Sequence, residues 1–127
     1  MRLTDGRPVL RLVHPTSPEH VEDVKVEMLR RGPPTIRVVD CGDCYMAIEG
    51  CHRLIAAAEL GIVPVLHMLH EEDLVDVDSL ETDLFPPSQT YTAGKIAAIY
   101  RGNHNPVLTI NPDGTLTVLV TSRPEEE

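Results

Sequence analysis

Residues 45–60 read Y-M-A-I-E-G-C-H-R-L-I-A-A-A-E-L, and this stretch decides how the rest of the chain is interpreted. Its first residues suit a strand, Gly50 permits a sharp turn, and a helix is expected to begin at about Cys51. The unpaired N–H groups and the positive dipole end of a helix favour an anion at its first turn. Because His52 and Arg53 also fall in that turn, the sequence predicts a phosphate-binding site formed by Gly50 and the three residues after it.

Each side chain in this turn has a second interpretation that the sequence leaves open. Thiolates are stabilised at helix N-termini, so Cys51 can be a nucleophile beside a bound phosphate. Alternatively, Cys51 is a small residue that faces the core, as free cysteines often do. Arg53 can bind phosphate through its planar guanidinium or pair with a nearby carboxylate. His52 can donate to a phosphate oxygen or be an ordinary helix residue whose hydrogen bonds stay within the protein.

The residues of the turn also carry a family resemblance. G-C-H-R at residues 50–53, followed by L-I-A-A, resembles the signature of sulfiredoxin. An acidic residue before G-x-x-R resembles the N-terminal domains of ParB-type proteins and the small ParB-like kinases that phosphorylate free serine. The similarity runs from about residue 8 to residue 68, roughly half of the chain. It implies the α/β (α+β) fold that these families share, a small mixed sheet with flanking helices.

The resemblance implies two enzymatic functions, both of which use ATP or another nucleotide with Mg²⁺. By similarity to sulfiredoxin, Cys51 is the nucleophile in the ATP-dependent reduction of a cysteine sulfinic acid on a protein substrate, and His52 and Arg53 bind the phosphates. Ile48 and Glu49, however, replace the Phe-Gly that usually precedes this signature in sulfiredoxin. An acid before the glycine is the ParB-like pattern. It implies a small-molecule kinase in which Glu49 is the general base and Cys51 is incidental.

A third interpretation comes from a different functional class. The chain can be a non-catalytic ParB-like module, a nucleotide-responsive adaptor with a regulatory role. Full ParB proteins read DNA with a helix-turn-helix after this domain, whereas nothing after Leu69 looks like a basic recognition helix. If Glu49 has no catalytic role, it is expected to be only a solvent-facing strand end. The enzymatic interpretations lead, and the sequence does not choose finally among the three.

The amino-acid composition limits the classes of partner that the protein is expected to bind. A formal net charge of −9 and a pI near 5.0 argue against binding to duplex DNA, which relies on Lys and Arg to neutralise phosphates. With no Trp, one Phe and three Tyr, the core must be aliphatic, and aromatic platforms for single-stranded nucleic acid are not expected. No stretch has the apolar length of a membrane span, and no signal-peptide core follows the N-terminus. Three cysteines fit a reducing compartment, so we expect a cytoplasmic protein without membrane contact.

Length and pattern predict the organisation of the chain. The 127 residues fit a single domain with a core at about 8–69, a helical segment and hairpin over 70–122, and a disordered tail at 123–127. Ser17 followed by Pro18 predicts the start of an amphipathic helix, whose apolar face is expected to carry Val21, Val24, Met28 and Leu29. The other expected elements are strands at 8–13, 35–39, 44–48 and a buried strand at 63–68, a helix within 91–100, and a solvated helix or irregular segment over the acidic residues 70–83.

Two further motifs, a C-x-x-C and a pair of histidines three residues apart, are candidates for redox or metal sites. The C-x-x-C at residues 41–44 lies in an expected turn and can be a redox pair, or half of a zinc site completed by Cys51 and a histidine. A second C-x-x-C is absent, so no metal site is predicted. His67 and His70 are likewise not expected to be ligands.

The turn N-P-D-G at 111–114 between two apolar runs predicts a C-terminal β-hairpin, added to the sheet or packed beside it.

Overall fold

The computed structural model describes residues 8–13, 16–42, 44–80, 89–100 and 105–120. Within these ranges the chain forms three α-helices, a six-stranded sheet and a separate two-stranded sheet, a mixed α/β architecture. The expected fold class is confirmed at this level. None of the helices described is long and apolar enough to cross a membrane.

The main sheet is mixed, as expected. Its strands are β1 Val9–Leu12, β2 Thr35–Asp40, β3 Tyr45–Ala47, β4 Val65–Leu69, β7 Val107–Ile110 and β8 Leu116–Val120, and they lie in the order β4-β2-β3-β1-β7-β8. β1 pairs with β3 and β2 with β4 in parallel, whereas the remaining neighbours are antiparallel. The second sheet pairs β5 (Leu74–Asp76) with β6 (Thr90–Thr92).

The first helix, α1 (Pro18–Arg31), begins where its capping residues predict. Ser17 Oγ accepts a hydrogen bond from the backbone N–H of His20 at 3.4 Å, and a proline occupies the first turn. The helix buries Val21 and Met28, which lie two turns apart on one face. Leu29 was expected on the same face, but it is 69% exposed. That prediction was wrong because one residue further along a helix turns the side chain about 100° away from the buried stripe.

The second and third helices are α2 (Cys51–Leu60) and α3 (Ala93–Tyr100). α1 packs against α2, and Lys25 Nζ joins them by lying 2.6 Å from Glu59 Oε1 on α2 and 2.9 Å from Glu22 Oε2 on α1. α3 lies within the helical segment expected at 91–100. It starts late because Thr92 ends β6, where its Oγ1 accepts from the N–H of Lys95 at 3.2 Å.

The core is aliphatic, as the composition required. It is formed by the inner faces of the central strands, α2 and α3. Its largest fully buried apolar side chains include Leu10, Leu12, Ile36, Val38, Val39, Met46, Ile48, Leu54, Ile96 and Leu108.

The C-terminal hairpin is confirmed. β7 and β8 are antiparallel, and the turn between them is closed by a 2.8 Å hydrogen bond from Asn111 N–H to the Thr115 carbonyl. The hairpin extends the main sheet beside β1. Its turn also approaches the connection between α2 and β4, since a Cβ built at Gly114 would lie 2.8 Å from Val63 Cγ1.

Two strand expectations need correction. The strand at 63–68 was expected to be buried, but β4 is an edge strand of the described sheet, and Val65 is 54% exposed. The acidic segment at 70–83 was expected to be helical or irregular. It contains β5 and a short 3₁₀ helix (Val77–Ser79), since pairing with the distant β6 completes β5. Residues 81–83 and the expected disordered tail lie outside the described residues.

Candidate functional site

The turn at Gly50 has the geometry that the sequence predicted. Gly50 adopts a left-handed conformation (φ 70°, ψ 29°) immediately before α2, and its carbonyl accepts the 2.9 Å hydrogen bond from Leu54 N–H that opens the helix. A Cβ at this position would overlap the Cδ1 atom of Ile36 on β2. Glycine is therefore required here both by its positive φ and by the close approach of β2.

Arg53 lies over this turn. Its side chain folds back toward the start of α2, so a Cβ built at Gly50 would lie 3.1 Å from Arg53 Nη2 and 3.4 Å from Nε. The structure thus brings the guanidinium to the N-terminal end of the helix, where the dipole also favours an anion. Of the predicted phosphate-site side chains, Arg53 is the one whose charged group lies against the Gly50 turn.

A pocket of about 370 Å³ adjoins Arg53. Its wall is supplied by the second half of α1 and by the Gly32-Pro33-Pro34 segment that follows it. The lining residues are Val24, Glu27, Met28, Arg31, Gly32, Pro33, Pro34 and Arg53. This pocket was not predicted from the sequence. No local pattern indicates it, because it exists only where the end of α1 meets the start of α2.

Glu49 is held by Arg37. Arg37 Nη2 lies 2.9 Å from Glu49 Oε1 and Nε lies 3.0 Å from Oε2, while the backbone N–H of Arg37 also donates to Oε2 at 3.1 Å. The two side chains are only 24% and 14% exposed, respectively. Burial alone raises the pKa of Glu49, but the hydrogen bonds and charge of Arg37, together with the charge of Arg53, outweigh burial and lower the pKa. A carboxylate with a lowered pKa and both oxygens engaged is a poor general base.

Arg37 is the functional neighbour that sequence reasoning missed. Its Nη2 also donates to Ser79 Oγ at 3.1 Å, which ties the 3₁₀ helix to β2. A signal for the pair was present: Arg37 lies among the apolar residues of β2, and the β2–β3 register places it opposite Ile48, next to Glu49. If the β2–β3 register had been derived from the turn at residues 41–44, it would have placed Arg37 beside Glu49.

Cys51 is fully buried. Its exposed fraction is 0%, and it belongs to the hydrophobic core together with Leu54 and Ile55 of the same helix. Cys51 was interpreted either as a nucleophile or as a small residue that faces the core, and its burial favours the second interpretation. A sulfur in this position cannot reach a sulfinic acid on another protein unless the start of α2 opens.

His52 joins α2 to the start of α1. Its Nε2 accepts a hydrogen bond from the backbone N–H of Ser17 at 3.0 Å, and its ring packs edge-to-face on His20 with centroids 4.3 Å apart. Because Nε2 accepts, we infer that the ring is neutral with its proton on Nδ1. Nε2 is therefore occupied by the protein and does not donate to a phosphate in this conformation.

Metal ligation finds no support in this geometry. Across the described ranges, no group of three or more His, Cys, Asp or Glu side chains is placed to hold a metal ion. Glu49, which directly precedes Gly50, has both carboxylate oxygens bonded to Arg37, so it does not fit a protein-held Mg²⁺. The three cysteines form no disulfide, and His67 and His70 are exposed.

A scan against protein-family models and searches of curated proteins and of solved structures found no match.

Proposed function

We propose that the chain is a nucleotide-binding regulatory module of the ParB/sulfiredoxin-like type, with Arg53 as the anchor for the phosphates. One observation carries the proposal: the Arg53 guanidinium lies at the left-handed Gly50 turn before α2 and also lines the adjoining pocket. A guanidinium at a helix N-terminus is a favourable arrangement for a phosphate. The G-C-H-R resemblance points to the same group of ligands.

The pocket suits a ligand with one anionic and one apolar end. Val24, Met28, Pro33 and Pro34 offer an apolar wall, which fits the face of a nucleobase or sugar better than free phosphate. Its volume of about 370 Å³ lies in the range of small-molecule sites. The lining also holds Arg31 and Glu27, which pair with each other at 2.7 Å, and Arg53 is the remaining charged residue of the lining.

A binding role is better supported than either enzymatic role. The sulfiredoxin-type reaction needs an accessible thiol, whereas Cys51 is 0% exposed. The kinase reaction needs an available base, whereas the Glu49 carboxylate is bonded to Arg37. Burial raises the pKa of Glu49, but the contacts with Arg37 and the charge of Arg53 outweigh burial, so the pKa is lowered. Mg²⁺ belongs to this proposal only as a counterion that arrives on the nucleotide phosphates.

The proposal is tested by ligand-induced stabilisation. Wild-type protein is melted with ATP, ADP, CTP or GTP, with and without Mg²⁺, and binding of the best ligand is then measured by calorimetry. A ligand that binds only the native state raises the melting temperature. We expect Arg53→Gln to weaken binding about 10- to 100-fold, which corresponds to about 1.5–3 kcal/mol for a charged hydrogen bond. Arg30→Gln, an exposed arginine on α1 that does not line the pocket, is the matched control.

Three further results separate the alternatives. Cys51→Ala is expected to keep nucleotide binding, because the sulfur lies in the core. Thiol-dependent turnover of a sulfinic acid peptide by wild type but not Cys51→Ala would overturn the regulatory interpretation in favour of the enzyme. No stabilisation by any nucleotide at millimolar concentration, or equal binding by Arg53→Gln and wild type, would refute the site itself.

A further inference from the structure

The two cysteines of the C-x-x-C motif face each other across the end of a hairpin. β2 and β3 are antiparallel with Asp40 opposite Tyr45, and the next residues outward are Cys41 and Cys44. The strands end at Asp40 and Tyr45, and just beyond them the backbone N–H of Cys41 donates to the Cys44 carbonyl at 3.0 Å, one of the two hydrogen bonds that an opposed pair can make. Both residues pack against the same hydrophobic core, which places their side chains on one face of the hairpin.

Opposed cysteines of this kind lie close to the reach of a disulfide. Opposed residues that are hydrogen-bonded in an antiparallel ladder have Cα atoms about 5.5 Å apart. Disulfides join Cα atoms that are about 4.4–6.8 Å apart, with Cβ atoms about 3.5–4.5 Å apart. Since opposed Cβ atoms in a ladder lie about 4.5–5.5 Å apart, bond formation requires a small inward adjustment. Such a bond is strained and therefore easily reduced.

The two thiols also differ in access. Cys41 is partly exposed, and its Sγ lies 3.8 Å from the Val39 carbonyl, whereas Cys44 is 7% exposed. An accessible thiol beside a more protected one is the arrangement of a peroxide-reactive cysteine and its resolving partner. Cys51, the remaining cysteine of the chain, is fully buried in the first turn of α2.

We propose that Cys41 and Cys44 are a reversible redox pair that forms an intramolecular disulfide when a peroxide is present. Cys41 attacks the peroxide oxygen, the O–O bond breaks, and the products are a sulfenic acid on Cys41 and water or an alcohol. Cys44 then attacks the Cys41 sulfur, the S–O bond breaks, and a second water leaves as the S–S bond forms. The two thiols are oxidised by two electrons and the peroxide is reduced. In a separate exchange, two equivalents of a low-molecular-weight thiol reduce the Cys41–Cys44 disulfide to the two thiols and are themselves oxidised to a disulfide.

The position of the pair connects it to the rest of the fold. The β2–β3 hairpin has the two cysteines at one end and the Arg37–Glu49 ion pair at the other, directly before Gly50. A disulfide at Cys41–Cys44 constrains the hairpin that carries this turn. The inference rests on the hairpin geometry alone and does not depend on nucleotide binding.

The test uses the full chain. Reduced protein is treated with hydrogen peroxide, remaining thiols are blocked with N-ethylmaleimide, and peptides are mapped by mass spectrometry without reduction. Wild type and the control Cys51→Ala are expected to lose two hydrogens and yield one Cys41–Cys44 linked peptide. Dithiothreitol is expected to restore both thiols fully. Cys41→Ser and Cys44→Ser are expected to form no intramolecular disulfide, and in Cys44→Ser the Cys41 thiol should proceed to sulfinic acid.

Several outcomes would overturn the proposal. They are a disulfide that includes Cys51, disulfide-linked dimers as the main product, or the same sulfinic acid yield at Cys41 in wild type as in Cys44→Ser. Bound zinc that protects both thiols from peroxide would also overturn it, in favour of a metal half-site. Circular dichroism of each variant before oxidation ensures that only folded protein is compared.

Discussion

Arg37 and Glu49 form a two-point ion pair that fixes the residue immediately before the Gly50 turn. Two hydrogen bonds of 2.9 and 3.0 Å join the guanidinium to the carboxylate, and the Arg37 N–H adds a third of 3.1 Å. Bidentate pairing restricts both side chains to one geometry. The pair therefore links β2 to the segment that leads into α2, the helix that carries Arg53.

Removing Arg37 is expected to destabilise the fold. Arg37→Ala leaves the Glu49 carboxylate, 14% exposed, without its partner. Because a poorly solvated charge without a partner is costly, we expect a loss of about 2–3 kcal/mol in the free energy of unfolding, measured by urea denaturation. Arg30→Ala is the control, since its side chain is 74% exposed, and it should change stability by less than about 0.5 kcal/mol. Equal effects of the two substitutions would contradict a structural role for the Arg37–Glu49 pair.

The same pair makes stability depend on pH in the acid range. The pKa of Glu49 is lowered in the folded state from its ordinary value of 4.5, because Arg37 outweighs the effect of burial. The pair therefore contributes stability that is present above pH 4.5 and is lost as the pH falls through the lower, folded pKa. Urea midpoints measured between neutral pH and about pH 3 are expected to fall less steeply for Glu49→Gln than for wild type. Identical slopes in the two proteins would show that another carboxylate dominates acid unfolding.

Gly50 and Gly61 provide a matched comparison of backbone strain with steric overlap. Both have φ 70°, but a Cβ at Gly61 meets nothing within 4 Å, whereas one at Gly50 overlaps Ile36 Cδ1. Gly61→Ala is expected to cost about 1–2 kcal/mol for the left-handed conformation alone. Gly50→Ala should cost about 1–3 kcal/mol more, from overpacking against Ile36. Denaturation of both variants decides the matter, and Ile36→Val in the Gly50→Ala background should recover part of the difference.

Native thiol reactivity is expected to follow burial. Cys41 is partly exposed, whereas Cys51 is 0% exposed and reacts only when the structure opens. Under native reducing conditions, alkylation with iodoacetamide followed by peptide mapping should modify Cys41 at least about tenfold faster than Cys51. In urea the two rates should converge. Fast native labelling of Cys51 would reopen the possibility that its thiol is a nucleophile.

Most of the secondary structure could be predicted from the sequence, because its causes are local. The residues Ser17 and Pro18 begin α1 by capping and by a fixed φ, which act within a single turn. Gly50 and Gly61 bound α2 for a similar reason, since both carry a positive φ. Alternating apolar residues and a turn sequence produced the C-terminal hairpin. Errors fell on β4 and β5, whose burial and pairing depend on distant strands.

The candidate site could be predicted only in part. The position of Arg53 at the Gly50 turn follows from the sequence, because Arg53 is the third residue after Gly50 and so falls in the first turn of α2. The pocket beside it, with Met28 and Pro34 in its wall, requires α1 and α2 to be packed together.

By itself, the sequence determined where α1 and α2 begin, that the core is aliphatic, and that a glycine turn is followed by an arginine in the first turn of α2. Only the tertiary structure decided the fate of the neighbouring side chains. It buried the Cys51 sulfur, bound the Glu49 carboxylate to a strand 12 residues away and made the His52 ring an acceptor for a backbone group 35 residues away. The physical reason is that propensity and capping act between neighbours in the chain, whereas burial and ion pairing depend on which distant surfaces meet.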